Sequence, residues 1–357
     1  MAAKPVVTFQ TLGCKLNQAE TEHLAGQFAE AGFAISNDAS ADVCILNTCT
    51  VTHIADRKSR HLLRLLRKKN PDALIVVTGC YAERSPQDLS EMGIDLVIGN
   101  EQKMDIPELV KSRLATKLTC SAKEQGLDSA LRVRSFVKIQ DGCDDFCTYC
   151  IVPIVRGSES CLLPEDIIAT VKTKVAAGYK EVILTGTKIG AYNHNGIDLK
   201  QLVHRILVET EVPRLHLSSL QPQEISEDLL SLWQNWRLCR HFHVALQSGS
   251  DMVLKRMKRR YSLADYTKAV ASIRKAVPDV AITTDIMVGF PDESAAEFEE
   301  SYRFCRDIGF AAIHVFAYSS RPGTAAAEMK GQVNDKAKKD RSLQMLALAK
   351  ESSHSFQ

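Results

Sequence analysis

FVKIQDGCDDFCTYC, residues Phe136 to Cys150, runs from an apolar, β-prone stretch straight into three cysteines spaced C-x₃-C-x₂-C. The stretch RSFVKIQ (Arg134–Gln140) reads as a strand, and Cys143, Cys147 and Cys150 fall immediately after its end. In a parallel α/β barrel the chemistry sits at the C-terminal ends of strands, in the loops that follow. A closed iron–sulfur or structural zinc site takes four ligands, and here three lie together. Short spacing lets one loop wrap three thiolates around one cluster and leaves one iron open to a small molecule. The alternative is a zinc knuckle with a distant fourth ligand. Structural zinc sites usually pair one C-x₂-C with another, or with histidines at fixed spacing, and no such partner pair is found.

Outward from this stretch the chain alternates apolar runs with amphipathic ones, a βα pattern with largely parallel sheet. Upstream, strands are expected at Val6–Leu12, Val43–Asn47, Leu74–Gly79 and Leu96–Gly99. Helices are expected over Gln18–Ala31, closed by Gly32, and Ile54–Lys69, closed by Asn70-Pro71. This is a small three-layer domain. Downstream, strands are expected at Arg134–Gln140, Glu181–Gly186, Arg214–Ser219, His241–Gln247, Val280–Gly289 and Ile313–Tyr318. Helical stretches lie at about Pro164–Ala177, Leu199–Thr210, Ser226–Trp236, Ser262–Ala276 and Ser294–Ile308, with a last helix from about Asn334 to Ser353. Six βα repeats imply an open, partial (β/α)₆ barrel, smaller than the eight-fold form. Periodicity fades over TKLTCSAKEQGLDS (Thr116–Ser129), which separates an N-terminal domain, 1–122, from a second domain, 130–357.

The length of 357 residues also suggests two domains, and 45% hydrophobic with 25% charged residues fits a soluble globular protein. No signal peptide opens the chain, and no apolar stretch approaches the ~18 residues of a spanning helix, so a cytosolic protein without membrane contact is expected. Eleven cysteines in a reducing compartment point to metal, catalysis or packing rather than disulfides. Cys14, Cys49 and Cys80 each sit just past a strand of the first domain, in TLGC, LNTC and VTGC. In an open parallel sheet those strand ends face one crevice, so the three form a second thiolate set. Cys44 lies inside a strand and reads as a buried hydrophobe. Cys120, Cys161, Cys239 and Cys305 have no comparable placement. His241 and His243 share one strand face, where packing or hydrogen bonding is the expected role. The net charge is only +2, but RKSRHLLRLLRKK (Arg57–Lys69) holds seven Lys/Arg without an acid, and KRMKRR (Lys255–Arg260) forms a second cluster. Solvated helix faces or phosphate binding would each use such runs.

Two three-cysteine sites, one per domain, resemble the radical SAM methylthiotransferases. The resemblance is carried by TLGCKLNQAET, LNTCTVTHIADRKSR, VTGCYAE, FVKIQDGCDDFCTYCIVPIVRG, LTGTKIGAY, LQSGSD, TDIMVGFPDE and FAYSSRPGTAAAEM, nearly the whole chain. NTCTVTHIADRKSR and VKIQDGC are most similar to the branch that modifies threonylcarbamoyladenosine in tRNA. The resemblance implies transfer of a methylthio group to C2 of N6-threonylcarbamoyladenosine beside the anticodon, at position 37. It implies two [4Fe-4S] clusters, S-adenosylmethionine, and an electron donor such as a flavodoxin or ferredoxin, the sulfur donor being unspecified. The cluster on Cys143, Cys147 and Cys150 would cleave S-adenosylmethionine. That on Cys14, Cys49 and Cys80 would hold the sulfur to be inserted, the two facing one another. The protein then binds and orients while the cofactor carries the hard step.

By position, the resemblance assigns cofactor contacts to Tyr149, Thr185, Gly186, Ser218 and Gln247, and tRNA-backbone contacts to Arg57, Lys58 and Arg60. Rival readings are another tRNA adenosine, a ribosomal protein side chain, or an iron–sulfur RNA-binding protein without turnover. The sequence departs from the family in three places. SESCLL (Ser158–Leu163) stands where further arginines are usual, and Gln221 where a glutamate is frequent. The family's small C-terminal β-barrel is not seen before Gln357, from which a reduced affinity for tRNA is expected.

Overall fold

The computed structural model describes residues 4–36, 41–115 and 133–356. The expected boundary at 116–129 and Cys120 lie outside the described residues. The chain divides into two compact units, 1–132 with 154–157, and 133–153 with 158–357.

The first unit is built on a five-stranded sheet of β1 (Val6–Thr11), β2 (Ala34–Ser36), β3 (Val43–Thr48), β4 (Leu74–Gly79) and β5 (Leu96–Val97). Its order is β2-β1-β3-β4-β5, and every pairing is parallel. Every residue of β3 and β4 is buried, as a parallel sheet covered on both faces requires. One face packs Leu24, Phe28 and Val110 against Val7, Ile45 and Val76. The other packs Leu63 and Leu66 against Cys44, Leu46 and Ile75. The covering helices are α1 (Lys15–Glu30), α2 (His53–Lys69), the short α3 (Cys80–Arg84) and α4 (Pro86–Ser90), and α5 (Ile106–Ala115). Helix α2 starts where the Thr52 hydroxyl accepts the Ala55 N–H at 3.1 Å, and its last turn carries Arg67, Lys68 and Lys69 toward the negative helix end.

Gly79 closes β4 with φ +93°, and a Cβ there would lie 2.4 Å from both the Asn47 Oδ1 and the Thr48 carbonyl. The left-handed backbone alone costs an ordinary residue about 1–3 kcal/mol, and the clash adds to that. Gly79→Ala is therefore expected to cost several kcal/mol of stability, read as a lower urea midpoint. An unchanged midpoint would contradict this packing.

The second unit carries seven parallel strand segments in sequence order. β6 (Arg134–Lys138), β7 (Glu181–Thr185) and β8 (Arg214–Leu217) form one sheet. β9 (Ser219–Leu220), β10 (His241–Val244), β11 (Ala281–Val288) and β12 (Ala312–Ala317) form the next. Arg214–Ser219, expected as one strand, breaks at Ser218: its first part pairs with β7 and its second with β10. A strand that switches sheets makes the corner a curved wall needs. Among the described residues β6 and β12 do not pair, so the barrel is open.

Helices α6 (Pro164–Ala176), α7 (Leu199–Glu209), α8 (Asp251–Arg256), α9 (Leu263–Ala276), α10 (Ala295–Ile308) and α11 (Asp335–Phe356) cover the outside. Ser262 with Asp265 and Ser294 with Glu297 form capping boxes that start α9 and α10, and Gly309 at φ +67° ends α10. The helix expected over Ser226–Trp236 is instead one turn, Glu227–Leu230, followed by a 3₁₀ segment, Ser231–Gln234. Trp233 accounts for the tightening: its indole N–H donates to the Cys239 carbonyl at 2.9 Å while its ring packs 4.3 Å from that of Phe242.

Candidate metal-cluster sites

In the first unit the strand order 2-1-3-4-5 reverses direction between β1 and β3, and ligands of such sheets bind outside the strand C-termini at that point. Cys14 follows β1 at the N-cap of α1, Cys49 follows β3, and Cys80 opens α3 directly after β4. The loops are drawn together by tight backbone. A Cβ on Gly13, at φ +115°, would come 2.8 Å from the Cys49 Cβ. The Asn17 amide donates to the Leu12 carbonyl at 2.7 Å and the Thr48 carbonyl at 3.0 Å, joining the first two loops. The Thr48 hydroxyl donates to the Thr78 carbonyl at 2.6 Å, joining the second to the third. Cys49 and Cys80 are buried and Cys14 is exposed. Burial pushes the Cys49 thiol up to about 12, and the neighbouring Cys80 and Cys14 sulfurs push it the same way.

Beneath this set lies a nearly dry ion cluster. Lys103 Nζ contacts Glu20 Oε2 at 2.5 Å, and Arg156 Nη1 contacts Glu20 Oε1 at 2.9 Å. Arg156 Nη2 also donates to Asn17 Oδ1 at 2.7 Å. The three charged side chains are at most 3% exposed. Burial raises the Cys80 thiol, while the charges of Arg156 and Lys103 and a hydrogen bond from Arg156 pull it back toward thiolate. Two cations against one carboxylate leave excess positive charge here, which suits three thiolates.

In the second unit the cysteine loop follows β6. Gln140 organises it: its amide donates to the carbonyls of Asp141 and Gly142, both at 2.8 Å, and its Oε1 accepts the Lys188 N–H at 2.8 Å. Thr148 Oγ1 donates to the Arg256 carbonyl at 3.0 Å, and the Thr148 N–H to the Met257 carbonyl at 3.1 Å. Burial pushes the Cys150 thiol up to about 12, with Cys147 and Cys143 adding to the rise. Three thiols in one loop could share a metal centre, whose charge reverses the effect of burial and deprotonates coordinating thiols. Asp145 braces the loop: burial raises its carboxyl, but hydrogen bonds from Lys188 and Gln221 outweigh that and hold it below the usual range. Glu159, within the SESCLL departure, accepts the Asp144 N–H at 3.3 Å and pairs with Lys188 at 3.3 Å.

The other residues singled out by the sequence distribute as follows. Thr185 ends β7, and its carbonyl accepts the Ile139 N–H at 2.9 Å. A Cβ on Gly186 would lie 2.7 Å from the Gln140 carbonyl, so the glycine admits the cysteine loop itself. Ser218 is buried at the sheet switch, and Tyr149 packs with Val253, Met257, Phe290 and Tyr318. Gln247 holds a left-handed backbone at φ 69°, uncommon outside glycine, and exchanges backbone hydrogen bonds with Asp285 and Met287. His241 Nδ1 meets His216 Nε2 at 2.7 Å, and His243 Nε2 meets Asp285 Oδ1 at 3.1 Å, so both histidines serve hydrogen bonds. Cys44, Cys239 and Cys305 are buried, and Cys161 Sγ accepts the Asn193 N–H at 3.4 Å.

On α2 of the first unit, Arg57, Lys58, His61 and Arg64 are exposed. With Leu12, Arg60 and Leu62 they line a surface hollow of about 710 Å³. Arg60 donates to the Tyr81 hydroxyl at 2.8 Å. Arg67 departs from the expected basic face, pairing with Asp95 at 2.5 Å and donating to the carbonyls of Pro71, Ala73 and Gly93. In the second basic run Lys255, Lys258 and Arg260 are exposed, yet its three arginines each have a partner in the protein. Arg256 pairs with Glu297 at 2.9 Å, Arg260 with Asp145 at 3.2 Å, and Arg259 Nη1 donates to Cys147 Sγ at 3.3 Å.

An open parallel barrel with three cysteines in the loop after its first strand defines the radical SAM class. Residues 137–305 match the family described as the Radical SAM superfamily, and residues 6–99 match Uncharacterized protein family UPF0004. The chain is 37% identical to the threonylcarbamoyladenosine tRNA methylthiotransferase MtaB of Bacillus subtilis, over 96% of this chain and 80% of that one. It is 36% identical to the Thermotoga maritima protein of the same name, over 94% and 80%. It is 37% identical to the tRNA-2-methylthio-N(6)-dimethylallyladenosine synthase of Oceanobacillus iheyensis, over 93% and 68%. Among solved structures, the radical S-adenosylmethionine methyltransferase TsrM of Kitasatospora setae aligns with a TM-score of 0.66 over 91% of this chain and 77% of that one, at 13% identity, a likeness of fold. The chain belongs to the radical SAM methylthiotransferase family. It is a transferase whose cofactors are S-adenosylmethionine and [4Fe-4S] clusters, two in methylthiotransferases. Among the described residues no helix is long and apolar enough to cross a membrane.

Proposed function

We propose that this chain transfers a methylthio group to C2 of N6-threonylcarbamoyladenosine at position 37 of tRNA. The observation that carries the reading is the pair of three-cysteine sets, each gathered at strand C-termini of its own unit. It is supported by the likeness to methylthiotransferases named for that nucleoside. Cys143, Cys147 and Cys150 would hold one cluster and Cys14, Cys49 and Cys80 the other. Bound there, the clusters would supply electron transfer for cleavage of S-adenosylmethionine and a place for the sulfur to be inserted. This chain's residues hold and orient: Gln140 and Thr148 fix the second-unit loop, and Arg156 with Lys103 supplies positive charge to the first-unit set. Thr185, Gly186, Ser218, Gln247 and Tyr149 are the proposed cofactor contacts. An external one-electron donor such as a flavodoxin or ferredoxin completes the reading.

The deciding experiment is mass analysis of tRNA nucleosides from cells with and without the gene. The 2-methylthio derivative of threonylcarbamoyladenosine should vanish without it. Loss of the methylthio dimethylallyl nucleoside instead would favour the second reading, which the Oceanobacillus relative supports.

The exposed cations of α2 are the proposed contact with the tRNA backbone. Removing a cation that binds a phosphate should weaken binding across all tRNA sequences and reduce the salt slope by about 1. Arg57→Ala with Lys58→Ala should therefore flatten the dependence of tRNA affinity on salt. Arg67→Ala should lower stability and leave that slope unchanged, because its guanidinium is committed to Asp95 and three carbonyls. Filter binding across a salt series checks both.

A further inference from the structure

Within the basic run RMKRRY, Arg256 to Tyr261, Lys258 and Arg260 stay exposed, but several groups of the run contact the cysteine loop. The backbone carbonyls of Arg256 and Met257 accept from Thr148, which lies between Cys147 and Cys150. Arg260 pairs with Asp145 at 3.2 Å. Arg259 reaches a candidate cluster ligand itself, its Nη1 donating to Cys147 Sγ at 3.3 Å. The guanidinium is held from the other side. Its Nε donates to the Tyr261 hydroxyl at 3.1 Å, and its carbon lies 4.9 Å from the centre of that ring. The Tyr261 hydroxyl is in turn aimed at the carbonyls of Ala245 and Leu246, 2.8 and 2.7 Å away. A planar fork pre-organised in this way loses little freedom on forming its hydrogen bond.

Reduction adds an electron, hence negative charge, to an iron–sulfur cluster. Hydrogen bonds to its sulfurs and nearby cations favour the reduced form and raise the potential. We infer that Arg259 is a positioning residue that sets the reduction potential of the cluster on Cys143, Cys147 and Cys150, keeping it within reach of an external one-electron donor. The inference rests on that cluster assignment.

The test is a mediated dithionite titration of the full chain with its clusters reconstituted, read by EPR without S-adenosylmethionine. The signal absent from a C143A/C147A/C150A variant identifies the cluster to follow. Arg259→Met removes charge and donor together. It should lower the reduced-to-oxidised ratio of that cluster at least tenfold at a given potential, a fall of about 59 mV for a one-electron couple. Iron content and the other cluster's midpoint should not change. Arg259→Lys keeps the charge without the fork and should shift the midpoint the same way by a smaller amount. It is the variant to read if the methionine one takes up no cluster. A midpoint equal to wild type at full iron content overturns the role of Arg259 and leaves the cluster assignment standing. If the triple variant loses no signal, the assignment and the inference fall together.

Discussion

Alanine at Cys14, Cys49 and Cys80 is expected to abolish methylthio transfer while leaving reductive cleavage of S-adenosylmethionine in place. Alanine at Cys143, Cys147 and Cys150 is expected to abolish both. The asymmetry follows from two self-contained sites. One set lies at the ends of β1, β3 and β4, the other in a single loop after β6. Loss of an outer-shell partner at a metal site costs roughly 10–100-fold, and loss of the ligands themselves should exceed that for the affected step. Deoxyadenosine release and product mass, measured on the same reaction, separate the two steps. Full loss of cleavage in the first variant, with its other cluster intact, would show that the sites are not independent.

The second large effect is on stability. Glu20→Gln leaves Lys103 and Arg156 in a pocket where they are at most 3% exposed, without the carboxylate that faces both. Removing one partner of a buried ion pair typically costs about 3–5 kcal/mol, because the remaining charge is uncompensated. Urea unfolding should register a loss of that size, referred to the first unit. Lys103→Met should cost less, since Glu20 keeps Arg156 at 2.9 Å. Equal losses from the two variants would argue against uncompensated charge as the cause.

Much of this arrangement is legible in the sequence. Cys14, Cys49 and Cys80 each follow an apolar run, and the loop of Cys143, Cys147 and Cys150 follows another, so assigning the strands also places the thiols beyond strand ends. The alternation of strand and helix points to a parallel α/β architecture for the same reason: each signal is local. What escapes is non-local or depends on side-chain direction. Lys103 and Glu20 are 83 positions apart, and Arg156 and Glu20 are 136 apart, so no window contains the ion cluster. The basic run at Lys255–Arg260 reads as a charged face because composition does not say which way an arginine points; three of them turn to Glu297, Cys147 and Asp145. Ser218 carries no mark of the sheet switch, since both halves of RLHLSS are β-prone. The Ser226–Trp236 stretch has helical composition, but Trp233 is drawn onto Phe242 and the segment tightens.

The presence of two separate clusters is tested most directly by the metal content of the reconstituted protein. Iron and acid-labile sulfide should each come to about eight per chain in the wild type and about four in either triple-cysteine variant, as two four-iron clusters require. Zinc in place of iron, or about four irons in the wild type with one triple variant unaffected, would contradict it.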